Sequence, residues 1–514
     1  MQECSRVIDQ QRTIARSSII RVTGLWFGVL AIWAFASPAG SVRDEAYHLA
    51  STYCGQGEHP KLCPERLRDE QSGLLFSEVP MSLSICSSPV GEPFVCLLSP
   101  KSKNWYITNN GLYPDYYYWT MSHLAVPDNH PMTMILIRLT NAALAALALA
   151  TTLSLMARSS TKAHLLAMIG TASPLVLFLL SSTNPRAWSL AGIGMAWPII
   201  GGLMEELAHS TRNHKRIAAQ VIALIASFLL AAMSRWDSAV MWVFVATWGI
   251  ILQVRPRALS LRVKSYFVVA AVFLMSVPLW PARFRQSVGL SGVVVEYRIY
   301  ENELPALVHW LLHAIPKAAE VLGEGEITYP ALRMPTLVSV IGITVVGGLL
   351  WWAWVGRRLL VTLFAIVTVI FTGLILFAHS KTIDNLDPFD IIAQYVVMYL
   401  PAVVGLLLSS GTQFGNRPIP QSVVKLATWP LIAAHALSLF TIVERFTDRQ
   451  YFGLRVIPEG PFAWWWKWMP FGPNAWVAIG CVLFALLVLE IRNVPAGVVQ
   501  ESQHRNAPNL GARM

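Results

Sequence analysis

Charge is what this sequence has least of. Only 13% of its 514 residues are Asp, Glu, Lys or Arg, against 54% hydrophobic, and the mean hydropathy is +0.50. Soluble domains carry roughly a quarter charged residues, so an ordinary soluble protein is excluded and a chain with several membrane spans is indicated. A P-loop, a Gly-rich dinucleotide fingerprint, HExxH and GxSxG are all missing, which leaves ATP-driven transport and soluble-type hydrolase chemistry without visible machinery. No internal repeat is evident, which weakens a transporter built from inverted halves. The six cysteines lack the paired CxxC spacing of a zinc ribbon. The net charge of +10 is spread in short runs rather than one patch, so nucleic acid is not an expected partner. The first apolar run is followed by Ala36-Ser37-Pro38-Ala39, a poor cleavage site, so no cleavable signal peptide is expected.

What is there reads as an all-α polytopic membrane protein. Apolar stretches fall at about 18–36, 132–156, 163–182, 188–207, 217–234, 236–254, 264–281, 335–355, 358–378, 389–410, 422–443 and 473–492. Arg6, Arg12, Arg16 and Arg21 mark the N-terminal tail (1–17) as cytoplasmic; Arg158 with Lys162, Arg212 to Arg216, Arg255 to Lys264, Arg357-Arg358, Arg417 with Lys425, and the tail 493–514 mark the same side. The count is about twelve spans with both termini inside, a multi-pass protein of a bacterial plasma membrane. Its long external loops are expected at 39–131, 282–334 and 444–472. The last holds Trp464-Trp-Trp-Lys-Trp468, read as an interfacial belt ahead of a sugar-stacking platform.

The chain is organised around Arg43-Asp44-Glu45-Ala46-Tyr47-His48, just past the first apolar run. Adjacent acids so close to hydrocarbon are costly. They are either interfacial charges balanced by Arg43 or a functional pair, with His48 one turn on to orient an acid, act as a second base or cap the turn. The same loop holds Cys54, Cys63, Cys86 and Cys96, expected to form two disulfides of open connectivity if the loop meets an oxidising compartment. Tyr113 to Trp119 suits a segment lying along the headgroup region. Within it, Asp115 is a second acidic candidate or a helix N-cap after Pro114.

Under this topology Asp44, Glu45, His48, Asn184, Arg186, Arg235 and Asp237 share one membrane face. Arg235 and Asp237 form either a salt-bridged turn or a site whose planar Arg fork meets a phosphate. Asn184 and Arg186 flank Pro185 at a helix start, where free backbone amides would add anion affinity, or form a plain Asn-Pro turn with a snorkelling Arg. An acid beside such a groove suits sugar transfer from a lipid phosphate. A carboxylate takes the acceptor's proton, while Arg side chains and a divalent cation would stabilise the departing phosphate.

These features resemble the GT-C superfamily of integral-membrane glycosyltransferases, in which an acidic pair follows the first span. More narrowly, they resemble an uncharacterised bacterial branch of predicted membrane proteins with a Pro-Asp-Glu-x-x-His box. Asp44, Glu45 and His48 match that box and Arg43 replaces its Pro. Ser182-Thr183-Asn184-Pro185 matches a Ser-x-Asn-Pro element, and Arg235 an Arg after the fifth span. A late Gly-Arg-Tyr element is similar to Ala393-Gln394-Tyr395 with Pro401, but its Arg is missing here. The resemblance implies a polyprenyl-phosphate sugar as donor, a cell-envelope glycan or lipid as acceptor, and an extracytoplasmic site. It makes Asp44 the catalytic acid and Gln394 and Tyr395 substrate-side residues. A non-enzymatic lipid-linked-glycan transporter would instead bury ionisable groups in mid-helix, for which Glu205, Glu206 and His435 are the sparse candidates. A structural membrane protein would tolerate replacement of the external acids.

Overall fold

The computed structural model describes residues 2–37, 45–68, 75–79, 84–87, 95–98, 104–109, 113–127, 129–208, 213–253, 334–356, 358, 361–369, 398–410, 419–446, 469 and 471–494. Helix α1 (Gln2–Phe35) is continuous from the second residue, so the helix begins well ahead of the apolar run at 18. Then come α2 (Glu45–Tyr53), five strands, α3 (Asp115–Ser122), α4 (His130–Leu155), α5 (Thr161–Gly170), α6 (Pro174–Leu180), α7 (Arg186–Ala208), α8 (His214–Ser234) and α9 (Trp236–Gln253). After these lie α10 (Thr336–Gly356), α11 (Met398–Ser410), α12 (Gln421–Phe446) and α13 (Pro473–Asn493).

Seven helices among the described residues are long and apolar enough to cross a membrane, and an eighth span arises if α5 and α6 are taken together. That pair, expected as one span at about 163–182, bends by 100°. The sequence dictates the break: Ser173 accepts the Val176 amide and Pro174 opens α6, a start signal in the middle of an apolar run. The expected span at 264–281 lies outside the described residues, and those at 358–378 and 389–410 are described only in part.

The loop between α1 and α4 is not helical throughout. Strands β1 (Glu65–Arg68), β2 (Leu75–Val79) and β5 (Asn104–Thr108) form an antiparallel sheet in the order β1-β2-β5. Strands β3 (Ser84–Ser87) and β4 (Val95–Leu98) pair separately, with Cys86 opposite Cys96. Cys54 and Cys63 are disulfide-bonded across a tight loop.

Helix α7 is the hub, packed on α4, α8 and α9. Small residues allow it: a Cβ at Gly192 would sit 2.5 Å from the Ser227 carbonyl oxygen of α8. Ser189 of α7 reaches Ser234 at 2.5 Å and Ser238 at 2.7 Å, tying three helices at one point. At one end of the bundle, Lys162 Nζ donates to the Arg492 and Val494 carbonyls, and Arg216 pairs with Glu206 at 3.1 Å. The box helix α2 lies at the other end, with the α6–α7 and α8–α9 junctions.

Candidate functional site

Helix α1 ends at Phe35, and its last carbonyls have no intrahelical donors. Arg138 of α4 reaches one of them, at Ala34, and the Ser37 carbonyl just beyond the helix. Its Nη1 donates to the Ala34 and Ser37 carbonyl oxygens at 2.7 and 2.9 Å. The rest of the guanidinium forks onto Glu45: Nε to Oε1 at 3.1 Å, Nη2 to Oε1 at 2.9 Å and to Oε2 at 2.8 Å. Thr183 Oγ1 adds a hydrogen bond to Oε1 at 3.3 Å. Glu45 and Arg138 are both buried. Glu45 therefore joins four segments: the end of α1, the start of α2, α4 and the α6–α7 junction. Nothing in the residue pattern had singled out Arg138. Its signal is that it stands as a lone charge within the 132–156 apolar stretch.

Helix α2 turns His48 to the same buried side as Glu45, but to other partners. His48 Nδ1 lies 2.9 Å from the Tyr118 hydroxyl of α3, and its ring meets Tyr113 edge-on at 5.2 Å. Nε2 is buried with no hydrogen-bond partner among the described residues. Burial first, then the positive charges of Arg186 and Arg235, hold the imidazole well below its usual pKa, so it is neutral. Burial also raises the Tyr118 phenol well above the usual range, so that hydroxyl keeps its proton.

Arg235 stands in extended backbone between α8 and α9. Its fork grips Asp237, with Nη2 to Oδ2 at 2.8 Å and Nε to Oδ1 at 3.0 Å, while Nη1 donates to the Tyr113 hydroxyl at 3.1 Å. Arg235 and Asp237 thus form a salt-bridged turn. Arg186 opens α7 and is 6% exposed. Among the described residues its guanidinium has no hydrogen bond or ion pair, and its Nε is fully buried. The backbone amides expected to be free here are occupied: Arg186 N donates to Asn184 Oδ1 at 3.0 Å, Ala187 N to the Asn184 carbonyl at 3.1 Å and Trp188 N to the Pro185 carbonyl at 2.9 Å. Asn184 is thus a turn-maker, and any anion affinity here must come from side chains.

Pro114, not Asp115, holds the N-cap position of α3. Asp115 is an exposed first-turn acid whose Oδ1 accepts from Asn109 Nδ2 at 2.7 Å, and Asn109 in turn accepts from Tyr47 at 3.3 Å. Asp115 therefore braces the Tyr113 turn. Asp44, Gln394 and Tyr395 lie outside the described residues, although Asp44 directly precedes Glu45 in sequence. Among the described residues no three His, Cys, Asp or Glu side chains gather as a metal site.

The structure thus brings together Glu45, His48, Asn184, Arg186, Arg235 and Asp237 from three stretches far apart in sequence. Neither a curated protein nor a solved structure matches the chain. A sequence family does match, over residues 27–496, and that span takes in the box, both junctions, the apolar end of α1 and helices α2 to α13. The chain belongs to the family described as "Predicted membrane protein (DUF2142)".

Proposed function

We propose that the chain is a GT-C-type glycosyltransferase, with about twelve spans, working on the extracytoplasmic face of a bacterial plasma membrane. It moves a sugar from a polyprenyl-phosphate donor to a cell-envelope glycan or lipid. The observation that carries this reading is the convergence at one bundle end of the box helix, the Ser-Thr-Asn-Pro-Arg junction and the Arg235 turn. His48 of the first feels the charges of Arg186 and Arg235 from the other two.

In this reading Asp44 takes the proton of the acceptor hydroxyl as its oxygen bonds to the anomeric carbon. The bond from that carbon to the phosphate oxygen breaks, and the phosphate leaves with the electron pair. Cationic side chains nearby stabilise the charge that develops on it. Glu45 is not the base, because its carboxylate is already held by Arg138 and Thr183. The pair divides its labour: Glu45 anchors, Asp44 reacts.

The test is transfer from a polyprenyl-phosphate sugar, comparing wild type with Asp44→Asn at matched membrane levels. The amide keeps size and hydrogen bonding but cannot take a proton, so transfer should fall by about two to four orders of magnitude. Near-wild-type transfer removes the assignment. The bent α5–α6 pair favours a second reading, non-enzymatic movement of a lipid-linked glycan, since broken helices line the substrate paths of transporters. Movement of the labelled lipid across proteoliposomes without sugar transfer would select it.

A further inference from the structure

Three arginines are buried or nearly so around the box helix, and two of them are fully committed. Arg138 uses its guanidinium on Glu45 and two carbonyls. Arg235 uses its own on Asp237 and Tyr113. Arg186 alone among these three has no hydrogen bond or ion pair to any described residue, although it is only 6% exposed and its Nε is fully buried. A buried cation without a counter-charge is unstable in a low-dielectric interior. A second unanswered group lies on the neighbouring element, His48 Nε2, also buried and without a partner among the described residues; the Thr183–Glu45 hydrogen bond holds the start of α7 against the helix that carries it.

We infer that Arg186 and His48 form the anion site of this bundle end, and that its ligand is the phosphoryl group of a phosphate ester. The inference rests on the reading above and names the side chains that hold the donor's phosphate. The hydrogen-bond pattern supports the imidazole as a donor. Tyr118 keeps its phenolic proton and sits 2.9 Å from Nδ1, so we assign the O–H as donor to Nδ1. The imidazole proton is then on Nε2, where it can be given to an oxyanion without adding charge beside Arg186. Arg186 adds a planar fork suited to two phosphoryl oxygens. Arg235, which the sequence also offers for this role, is occupied by Asp237 and Tyr113. The helix N-terminus contributes nothing directly, because the amides of Arg186, Ala187 and Trp188 are taken.

Binding to the purified full-length chain in lipid nanodiscs tests the site, with farnesyl phosphate, inorganic phosphate and farnesol as probes. Farnesyl phosphate should bind, and Arg186→Gln should weaken it roughly tenfold to a hundredfold, the loss of one or two charge-assisted bonds. His48→Phe should weaken it as well, whereas His48→Gln, which keeps a donor, should retain most of the affinity. Farnesol should bind more weakly than its phosphate and be indifferent to Arg186. A melting curve without ligand guards against misfolding: a cation waiting for an anion is a burden, so Arg186→Gln should melt no lower than wild type. If that variant does not express, Arg186→Lys takes its place and should lose the two-oxygen fork while keeping the charge. Inorganic phosphate that competes in an Arg186-dependent way supports the site and makes free phosphate a ligand as well. No competition by inorganic phosphate, beside Arg186-dependent farnesyl phosphate binding, assigns the site to lipid headgroups. Equal farnesyl phosphate affinity in wild type and Arg186→Gln overturns the inference. Arg186-dependent binding in a protein that transfers no sugar leaves the site standing and ends the glycosyltransferase reading instead.

Discussion

Glu45 and Arg138, 93 positions apart, meet in a buried two-pronged ion pair at 2.8 and 2.9 Å, and the same guanidinium caps the last turn of α1. One side chain thus stops a helix, fixes the start of the next and neutralises the acid that begins it. The relationship explains why two carboxylates can stand together at such a place. One of them, Glu45, is removed from solvent and held by its own arginine.

The first prediction follows from the asymmetry of buried pairs. Removing one partner strands the other charge, so Arg138→Met or Glu45→Leu should each cost about 3–5 kcal/mol of stability. The double variant should recover much of that loss, though not the part due to the uncapped Ala34 and Ser37 carbonyls. Melting in detergent measures all three. Singles that melt like wild type would show that the pair is not a clamp, and a double variant as poor as the worse single would deny the coupling.

Arg235 and Asp237 obey the same logic on a smaller scale, because their side chains are 11% and 3% exposed. Arg235→Ala should lower the melting temperature, since it leaves Asp237 buried and the Tyr113 hydroxyl short of a donor. Arg235→Ala with Asp237→Asn should melt higher than Arg235→Ala alone. An Arg235→Ala protein of full stability that has lost farnesyl phosphate affinity would return Arg235 to a ligand-binding role.

Much of this layout is legible in the sequence, and what is not has physical causes. Long apolar runs reveal α1, α4, α7, α8, α10, α12 and α13, because a span must satisfy its backbone internally and stay apolar. The polar box announces itself by its cost. Arg138 does not, since a lone Arg in an apolar run looks like one more snorkelling cation until its partner is found far away in sequence. The α5–α6 break was masked for a similar reason: hydropathy averages over Ser173-Pro174, whereas the helix does not. The strands β1 to β5 are four or five residues long, too short for alternation to stand out. At the site, no sequence pattern could say which arginine was already paired.

The loop cysteines give a chemical prediction. Cys54–Cys63 is bonded, and the β3–β4 register sets Cys86 opposite Cys96. Directly opposed residues in an antiparallel pair are about 4.5–5.5 Å apart at Cα, inside the range a disulfide spans. Non-reducing peptide mapping of protein from native membranes should therefore recover two linked pairs, 54–63 and 86–96, with Cys481 as an alkylatable thiol. Alkylation of all four loop cysteines without reductant would contradict both pairings and the extracytoplasmic placement of the loop.

The last prediction concerns pH and follows from His48. Its neutral form is favoured in the fold by burial and by the charges of Arg186 and Arg235, with the rings of Tyr47, Tyr113 and Tyr118 packed around it. In the unfolded chain a histidine titrates near 6.5, as an approximate reference. Folded His48 therefore binds fewer protons than unfolded His48 at any pH below that value. The sign follows: stability is full above about 6.5 and falls as the pH drops, by at most about 1.4 kcal/mol per unit, levelling off only below the depressed folded pKa. Other histidines add their own dependence, so the quantity to compare is wild type against His48→Gln. The variant should lose less stability than wild type between pH 7 and pH 5, and the two curves should converge as the pH falls. Parallel curves would mean that His48 does not resist protonation in the fold. Saturating farnesyl phosphate provides a further check, because an anion beside the ring favours the imidazolium. Bound ligand should shrink the wild-type slope, and it should leave that of His48→Gln almost unchanged.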